Sequence, residues 1–188
     1  MKYDKNQVHY VVVTCIPVNK EGKFLIARRA EWEKAMPNQW TVPGGKLKVL
    51  DYVFRKKDTS EHWYNVFEDV CKKEVREEVG LEIENIGYVT SMVYIRSDGV
   101  PAVIVSLWAE VVGDSTKVKL CPALTDYKWV TFEEAKNYDL IEGIYEELEI
   151  LDRKLRTGKM DEWKKEDEEA FSSIEENTKS DEELFGSY

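Results

Sequence analysis

Cysteine and histidine are scarce in this chain, with three and two copies in 188 residues. Cys15, Cys71 and Cys121 have no close metal-ligand spacing and, being odd in number, cannot all pair internally. Neither a zinc site nor a disulfide framework is expected, and the thiols read as reduced. Cys15 and Cys71 sit within apolar runs, where a thiol serves as a small core group. His9 and His62 lack any partner pattern that would suggest catalysis. Positive charge is also in deficit, 27 Lys and Arg against 37 Asp and Glu, for a formal net charge of −10. Nucleic acid as a bulk partner requires a basic footprint and is not expected. No apolar run approaches the ~20 residues of a membrane-spanning helix, and the N-terminus lacks a secretory hydrophobic segment. A cytoplasmic protein with no membrane partner is the expectation.

What remains is a globular composition, 43% hydrophobic and 12% aromatic, sufficient for one substantial core. The acidity is unevenly spread: residues 157–188 hold eleven acidic and four basic side chains, which accounts for −7 of the net charge. The chain therefore divides into a nearly balanced body, 1–156, and an acidic extension, 157–188. Within the extension the stretch 160–174 reads as a helix carrying Trp163 and Phe171, suited to docking on the body or on a second copy in a homodimer. The final residues read as disordered.

Along the body, Tyr10 to Val18 is rich in β-branched residues and Lys23 to Ala30 follows a Lys-Glu-Gly turn, which predicts a hairpin. Trp40 to Val42 reads as a short strand leading into a glycine loop. Ile83 to Arg96 and Ala102 to Val112 are extended segments joined by the Ser97-Asp98-Gly99 turn, and Tyr127 to Val130 is a last short strand. Thr131 with Glu134 makes a capping box for a short helix, and a longer helix is predicted over Ile141 to Arg156. There is no internal repeat.

The most informative segment is a helix predicted from Val66 to Val79. At about 100° per residue, Val66, Phe67, Val70, Cys71, Val75 and Val79 form one apolar stripe. Glu74, Glu77 and Glu78 fall in or beside that stripe, while Glu68, Asp69, Lys72 and Arg76 lie opposite. Crowded carboxylates repel and resist desolvation, so a divalent cation is the natural neutralising group. An ordinary solvated acidic face is the competing explanation. Asn65 to Glu68 reads as a capping box at the start, and Gly80 as a left-handed residue at the end.

Lys73-Glu74-Val75-Arg76-Glu77-Glu78-Val79-Gly80-Leu81 resembles the Arg-Glu-U-x-Glu-Glu-x-Gly-U core of the Nudix box, where U is a bulky aliphatic. Trp40-Thr41-Val42-Pro43-Gly44-Gly45-Lys46-Leu47 is similar to the strand and glycine loop that precede the Nudix helix. Three departures accompany the match. Gly45 lies 28 positions before Lys73, twice the family spacing, so about 14 residues interrupt the box; Lys73 replaces its arginine; and Asn65 stands at the place of its first glutamate. Lysine supplies charge but no bidentate fork.

The resemblance implies an α/β fold of α+β type, an α/β/α sandwich with a mixed sheet over about residues 8–156. It also implies a Mg²⁺-dependent hydrolase, with Mn²⁺ as a substitute, acting on a nucleotide or other diphosphate. By resemblance Glu74 and Glu78 are metal ligands, Glu77 is a ligand or the carboxylate that orients water, and the Gly44 carbonyl is a further metal contact. Gly45 and Lys46 would touch substrate. The catalytic base is either Glu77 or Asp126, the latter also readable as a turn residue. Arg28 is taken as the phosphate clamp of the Arg28-Arg29 pair, because alternation sends one of the two elsewhere. Trp32 reads either as a base-stacking residue or as a buried anchor.

The insertion, roughly 49–64, interleaves Tyr52, Phe54, Trp63 and Tyr64 with Arg55, Lys56 and Lys57. It reads either as a nucleotide-embracing loop or, preferably, as a long loop anchored on the domain surface. The functional expectation is cleavage of the pyrophosphate bond of a nucleoside diphosphate linked to another group, as in a nucleoside triphosphate or a nucleotide sugar. The alternatives are a nucleotide-sensing domain without turnover and an isoprenoid diphosphate isomerase, the latter needing Cys15 or Cys71 in the pocket.

Overall fold

The computed structural model describes residues 7–159, so the helix and disordered end expected after residue 159 lie outside the described residues. Strands β1 (Tyr10–Val18) and β2 (Phe24–Arg29) form the predicted hairpin. The Asn19 side chain organises their turn by accepting from the Glu21 and Lys23 amides at 3.0 and 2.9 Å. Then come β3 (Trp40–Thr41), β4 (Gly44–Lys46), α1 (Val66–Val79), β5 (Ile83–Ile95), β6 (Pro101–Val111), β7 (Leu124–Val130), α2 (Phe132–Ala135) and α3 (Ile144–Thr157).

The sheet runs β3-β2-β1-β6-β5, with β4 also paired to β1 and β7 to β2. Its ladders are antiparallel except β1 with β6, which are parallel from Tyr10 opposite Ala102 to Val18 opposite Glu110, so the sheet is mixed. Alternation on β1 splits the core in two. Val13 and Cys15, with Leu25, Ala27, Leu107 and Ala109, pack against Val70, Cys71, Val75 and Val79 of α1. Ile16 and Val18, with Phe24 and Ile26, pack against Ile144, Leu148 and Leu151 of α3. Each fully buried aliphatic side chain contributes about 1.5–3 kcal/mol relative to exposure. The result is the expected helix-sheet-helix sandwich.

Four local expectations are corrected. Asn65 is left-handed, at φ 56°, and its side chain makes no capping bond; instead its carbonyl accepts from the Asp69 amide at 3.0 Å. The insertion dictates this entry, since Asp58 accepts from the Tyr64 amide and Arg55 donates to the Tyr64 carbonyl, both at 2.9 Å. Asparagine tolerates the left-handed region better than most residues. The glycine loop is a strand, because Gly44 to Lys46 pair with β1. Strand β7 begins at Leu124, which places Asp126 in a ladder rather than a turn. Helix α3 begins after Gly143, as Ile141 first bonds to the Trp40 carbonyl at 2.9 Å and Gly143 turns the chain at φ 92°. The α2 capping box is present as predicted.

One carboxyl is built into the core beneath α3. Glu147 is buried, and its Oε2 accepts from the Ser106 hydroxyl at 2.7 Å. Burial raises its pKa from 4.5 to about 7, against the lowering effect of that hydrogen bond and with a contribution from Glu146. The folded state therefore holds this proton between pH 4.5 and about 7, where the unfolded chain has released it. Its contribution to stability is full below pH 4.5 and falls by about 3 kcal/mol as pH rises to 7. Glu147→Gln should match the parent near pH 4 in urea denaturation and exceed it at pH 8. A stability difference that does not change with pH would contradict this account.

Candidate functional site

The site lies where α1 crosses β4. Helix α1 ends at Gly80, left-handed at φ 69°, whose amide donates to the Arg76 carbonyl at 3.1 Å. On its outer face Arg76 forks onto Glu82 at 2.7 and 2.8 Å, away from the site. The inner stripe seats on β1, and Glu74 and Glu78, one turn apart, project from its border towards the glycines. Gly45 pairs with Val13 and so shares the α1 face of the sheet. A Cβ on Gly45 would collide with the Glu74 carboxylate. A Cβ on Gly44 would lie 2.7 Å from the Val13 carbonyl, so backbone approach enforces glycine there. The Gly44 amide donates to Glu78 Oε2 at 3.0 Å.

Charge follows this packing. The Glu74 side chain is 13% exposed and that of Glu77 is 59% exposed, so the three glutamates are not equivalent. The Lys73 ammonium donates to Glu74 Oε1 and Asp51 Oδ1, each at 3.1 Å, and stands 4.0 Å from Glu77. Desolvation works against the charge of both Lys73 and Asp51. Their mutual bond outweighs it, together with the Glu74 contact on Lys73 and the Lys48 amide on Asp51. The lysine pKa is therefore raised and the aspartate pKa lowered. At Glu78 burial dominates and pushes the carboxyl to about 7, the Gly44 amide and Arg29 opposing the rise while Glu74 and Glu77 add to it by repulsion.

Gly44, Gly45, Glu74 and Glu78 are thus brought together, with Glu77 at the rim. Lys46 pairs with Val12 and by alternation faces the opposite side of the sheet, its ammonium 4.9 Å from the Tyr10 ring centroid. Arg28 and Asp126 are cross-strand partners on that same opposite side, where Trp40 joins the α3 core. Arg28 donates to Asn38 O at 3.1 Å; Asp126 accepts from the Tyr127 amide at 2.8 Å and pairs with Lys128 at 3.4 Å. Arg29 is the strand arginine whose charge acts on Glu78. It is braced by the Ala35 carbonyl at 2.9 Å and Glu33 at 3.1 Å. Its parity with Leu25 and Ala27 was a readable signal for that face, and Asp51 carried one too: it stands six positions after Gly45, the spacing at which the box places its first glutamate, so Asp51 and not Asn65 occupies that place.

Among the described residues no three His, Cys, Asp or Glu side chains are gathered at coordinating distance. Glu74 is engaged by Lys73 and Glu78 by the Gly44 amide. The donor set nonetheless fits a hard divalent cation: carboxylate oxygens that repel one another beside a space that only glycine leaves clear. Cys15 and Cys71 lie buried in the α1-side core, where burial pushes the Cys15 thiol far up and Cys71 adds to it. Neither supplies a thiol to this site. The insertion anchors itself: Trp63 Nε1 donates to the Arg55 carbonyl at 3.0 Å, Tyr52 and Trp63 rings lie 5.3 Å apart, and Arg55 ion-pairs with Asp69 of α1. Trp32 is 64% exposed and is no buried anchor. Among the described residues no helix is long and apolar enough to cross a membrane.

Comparison with known proteins agrees with this geometry. The sequence model of the NUDIX domain matches residues 8–151. A nucleoside triphosphatase, NudI of Klebsiella pneumoniae (strain 342), is 25% identical over 136 residues, 68% of this chain and 86% of that protein. The MutT protein from Methanosarcina mazei Go1 superposes with a TM-score of 0.59 at 23% identity, covering 79% of this chain and 96% of that one. A MutT NUDIX hydrolase from Burkholderia pseudomallei gives 0.58 at 18% identity, covering 76% and 98%. These structures share the fold, and the family match spans most of the chain. This chain therefore belongs to the Nudix family of pyrophosphate-cleaving hydrolases.

Proposed function

We propose that this chain is a Mg²⁺-dependent enzyme cleaving the pyrophosphate bond of a nucleoside diphosphate linked to another group, with nucleoside triphosphates the favoured class and nucleotide sugars the second. The observation that carries the reading is the meeting of Glu74 and Glu78 with the Gly44-Gly45 strand. The name of the NudI relative favours the triphosphates.

In this reading Glu74 and Glu78 hold the cation, with the Gly44 carbonyl beside them. When bound, the cation supplies neutralising charge for the diphosphate and polarises the phosphorus under attack. Glu77, at the solvent edge, orients the attacking water and accepts its proton as the new P–O bond forms and the bridging P–O bond breaks. The departing phosphate carries away the bridging oxygen. Arg29, on the same side of the sheet as the glutamates, offers a fixed positive charge to the phosphates. Asp126 and Arg28, on the other side, are left out of this assignment. The buried thiols of Cys15 and Cys71 disfavour the isomerase alternative.

Purified protein should release phosphate or pyrophosphate from at least one member of a panel of nucleoside triphosphates, nucleotide sugars, dinucleoside polyphosphates and ADP-ribose, and only when Mg²⁺ is present. Glu77→Gln and Glu78→Gln should each lower kcat by more than about 100-fold with the circular dichroism spectrum unchanged. Full activity in both variants would remove the assignment. Gly45→Ala tests the clearance separately, because its new methyl meets only the end of a flexible side chain. It should retain the parent melting temperature within a few degrees yet need about 10–100-fold more Mg²⁺ for half-maximal rate.

A further inference from the structure

We propose that the outward side of the insertion's first turns, Val49, Leu50, Val53 and Phe54 with Lys48 and Lys56 at the two ends, is a docking surface for the chain's own acidic extension, residues 160–188.

These turns are amphipathic in the inverted sense. Val49–Asp51 is a single 3₁₀ turn, and the coil continues as the Val53 amide donates to the Val49 carbonyl at 3.0 Å and the Arg55 amide to the Tyr52 carbonyl at 2.9 Å. Contacts divide the segment into two sides. The polar and aromatic side is turned inward: Asp51 accepts from Lys73, Tyr52 packs on Trp63, and Arg55 pairs with Asp69. The aliphatic side faces solvent, with Leu50 69% and Phe54 86% exposed. Apolar groups gathered in water are unfavourable, and such a patch rimmed by charge marks a surface that something covers.

Charge selects the occupant. Arg55 and Lys57 are taken up by Asp69 and Glu61, whereas the exposed Lys48 and Lys56 close no ion pair among the described residues. The same patch on a second copy would set lysine against lysine in a two-fold contact. The extension offers the opposite sign, because between residues 160 and 188 eleven acidic side chains stand against three lysines, interleaved with Trp163, Phe171 and Ile174. Its apolar groups meet the patch and its acids meet the flanking lysines. Helix α3 releases the chain at Gly158, and residues 160–188, when extended, reach about 95 Å, over twice the roughly 40 Å width of a domain of this size. Docked there, the extension lies over the turn whose inner side holds Lys73.

The test uses the full chain with the photocrosslinker p-benzoylphenylalanine in place of Phe54, where the exposed ring leaves room for the larger group. Irradiation at low micromolar concentration, followed by digestion and mass spectrometry, should join position 54 to peptides of 160–188 in a monomer-sized species. The same label in place of Trp32, which is 64% exposed but lies between Glu31 and Glu33, should reach the extension at least about fivefold less. Lys48→Glu combined with Lys56→Glu should cut the position-54 product by about tenfold with the melting temperature unchanged, and Lys48→Arg with Lys56→Arg should keep it. Cross-links from position 54 confined to residues 1–159 would overturn the proposal. So would equal yields from positions 32 and 54, products found only in a dimer-sized species, or a yield indifferent to the charge reversal. Binding of the full chain to vesicles of phosphatidylcholine and phosphatidylserine at about 3:1, lost in Phe54→Asp and unaccompanied by any cross-link to the extension, would assign the patch to a membrane surface and overturn it as well.

Discussion

The structure turns on the mutual repulsion of carboxylates gathered beside a close-lying glycine strand. Glu74 and Glu78 emerge from the border of the apolar face of α1, and Gly44 and Gly45 press β4 so close that a single extra methyl would strike either the β1 backbone or a carboxylate. Solvent relieves the repulsion at Glu77, which is exposed, more than at its half-buried neighbour Glu78. The protein answers with partial measures: one amide from Gly44, the field of Arg29, and the ammonium of Lys73. Each offsets some of the charge, and together they still leave Glu78 reluctant to ionise. In the proposed reading a divalent cation would complete what these groups begin.

How far this was legible in the sequence depends on the range of the force involved. Helix α1 could be read to its ends because side-chain period and a terminal glycine are local properties, and β1 because nine consecutive residues favour an extended chain. The glutamates were legible for the same reason, as helical angle alone sets them beside the stripe. Where long-range contacts decide, the reading fell short. Asn65 has the composition of a cap, but the insertion arrives at an angle fixed by Arg55 and Asp58 and turns it left-handed. Residues 141–143 have helical character, yet Trp40 claims the Ile141 amide first. The tie between Asp51 and Lys73 was legible only by counting forward from Gly45, because the inserted residues after Asp51 break the count backward from Lys73.

The insertion changes how the interrupted motif is understood. Taken alone, replacement of an arginine by lysine and a glutamate by asparagine looks like decay of a site. In the folded chain the same lysine has a carboxylate partner in Asp51, at the box's own spacing from Gly45, and the segment that follows is tied to the helix by Arg55 and braced internally by Trp63. Phe54 is nevertheless 86% exposed, so the insertion is fastened at its base and along one edge rather than buried.

The parallel ladder between β1 and β6 has a consequence for how the molecule is made. Tyr10 meets Ala102 and Val18 meets Glu110, so the central strand waits for its neighbour until more than half of the chain has been synthesised. The glycine strand depends on β1 for its own hydrogen bonds, and so the acidic helix has no completed seat until that late closure. Topologies of high contact order fold slowly and expose strand edges while they wait. Until Ala102 to Glu110 have been synthesised and docked, β1 presents one edge bare.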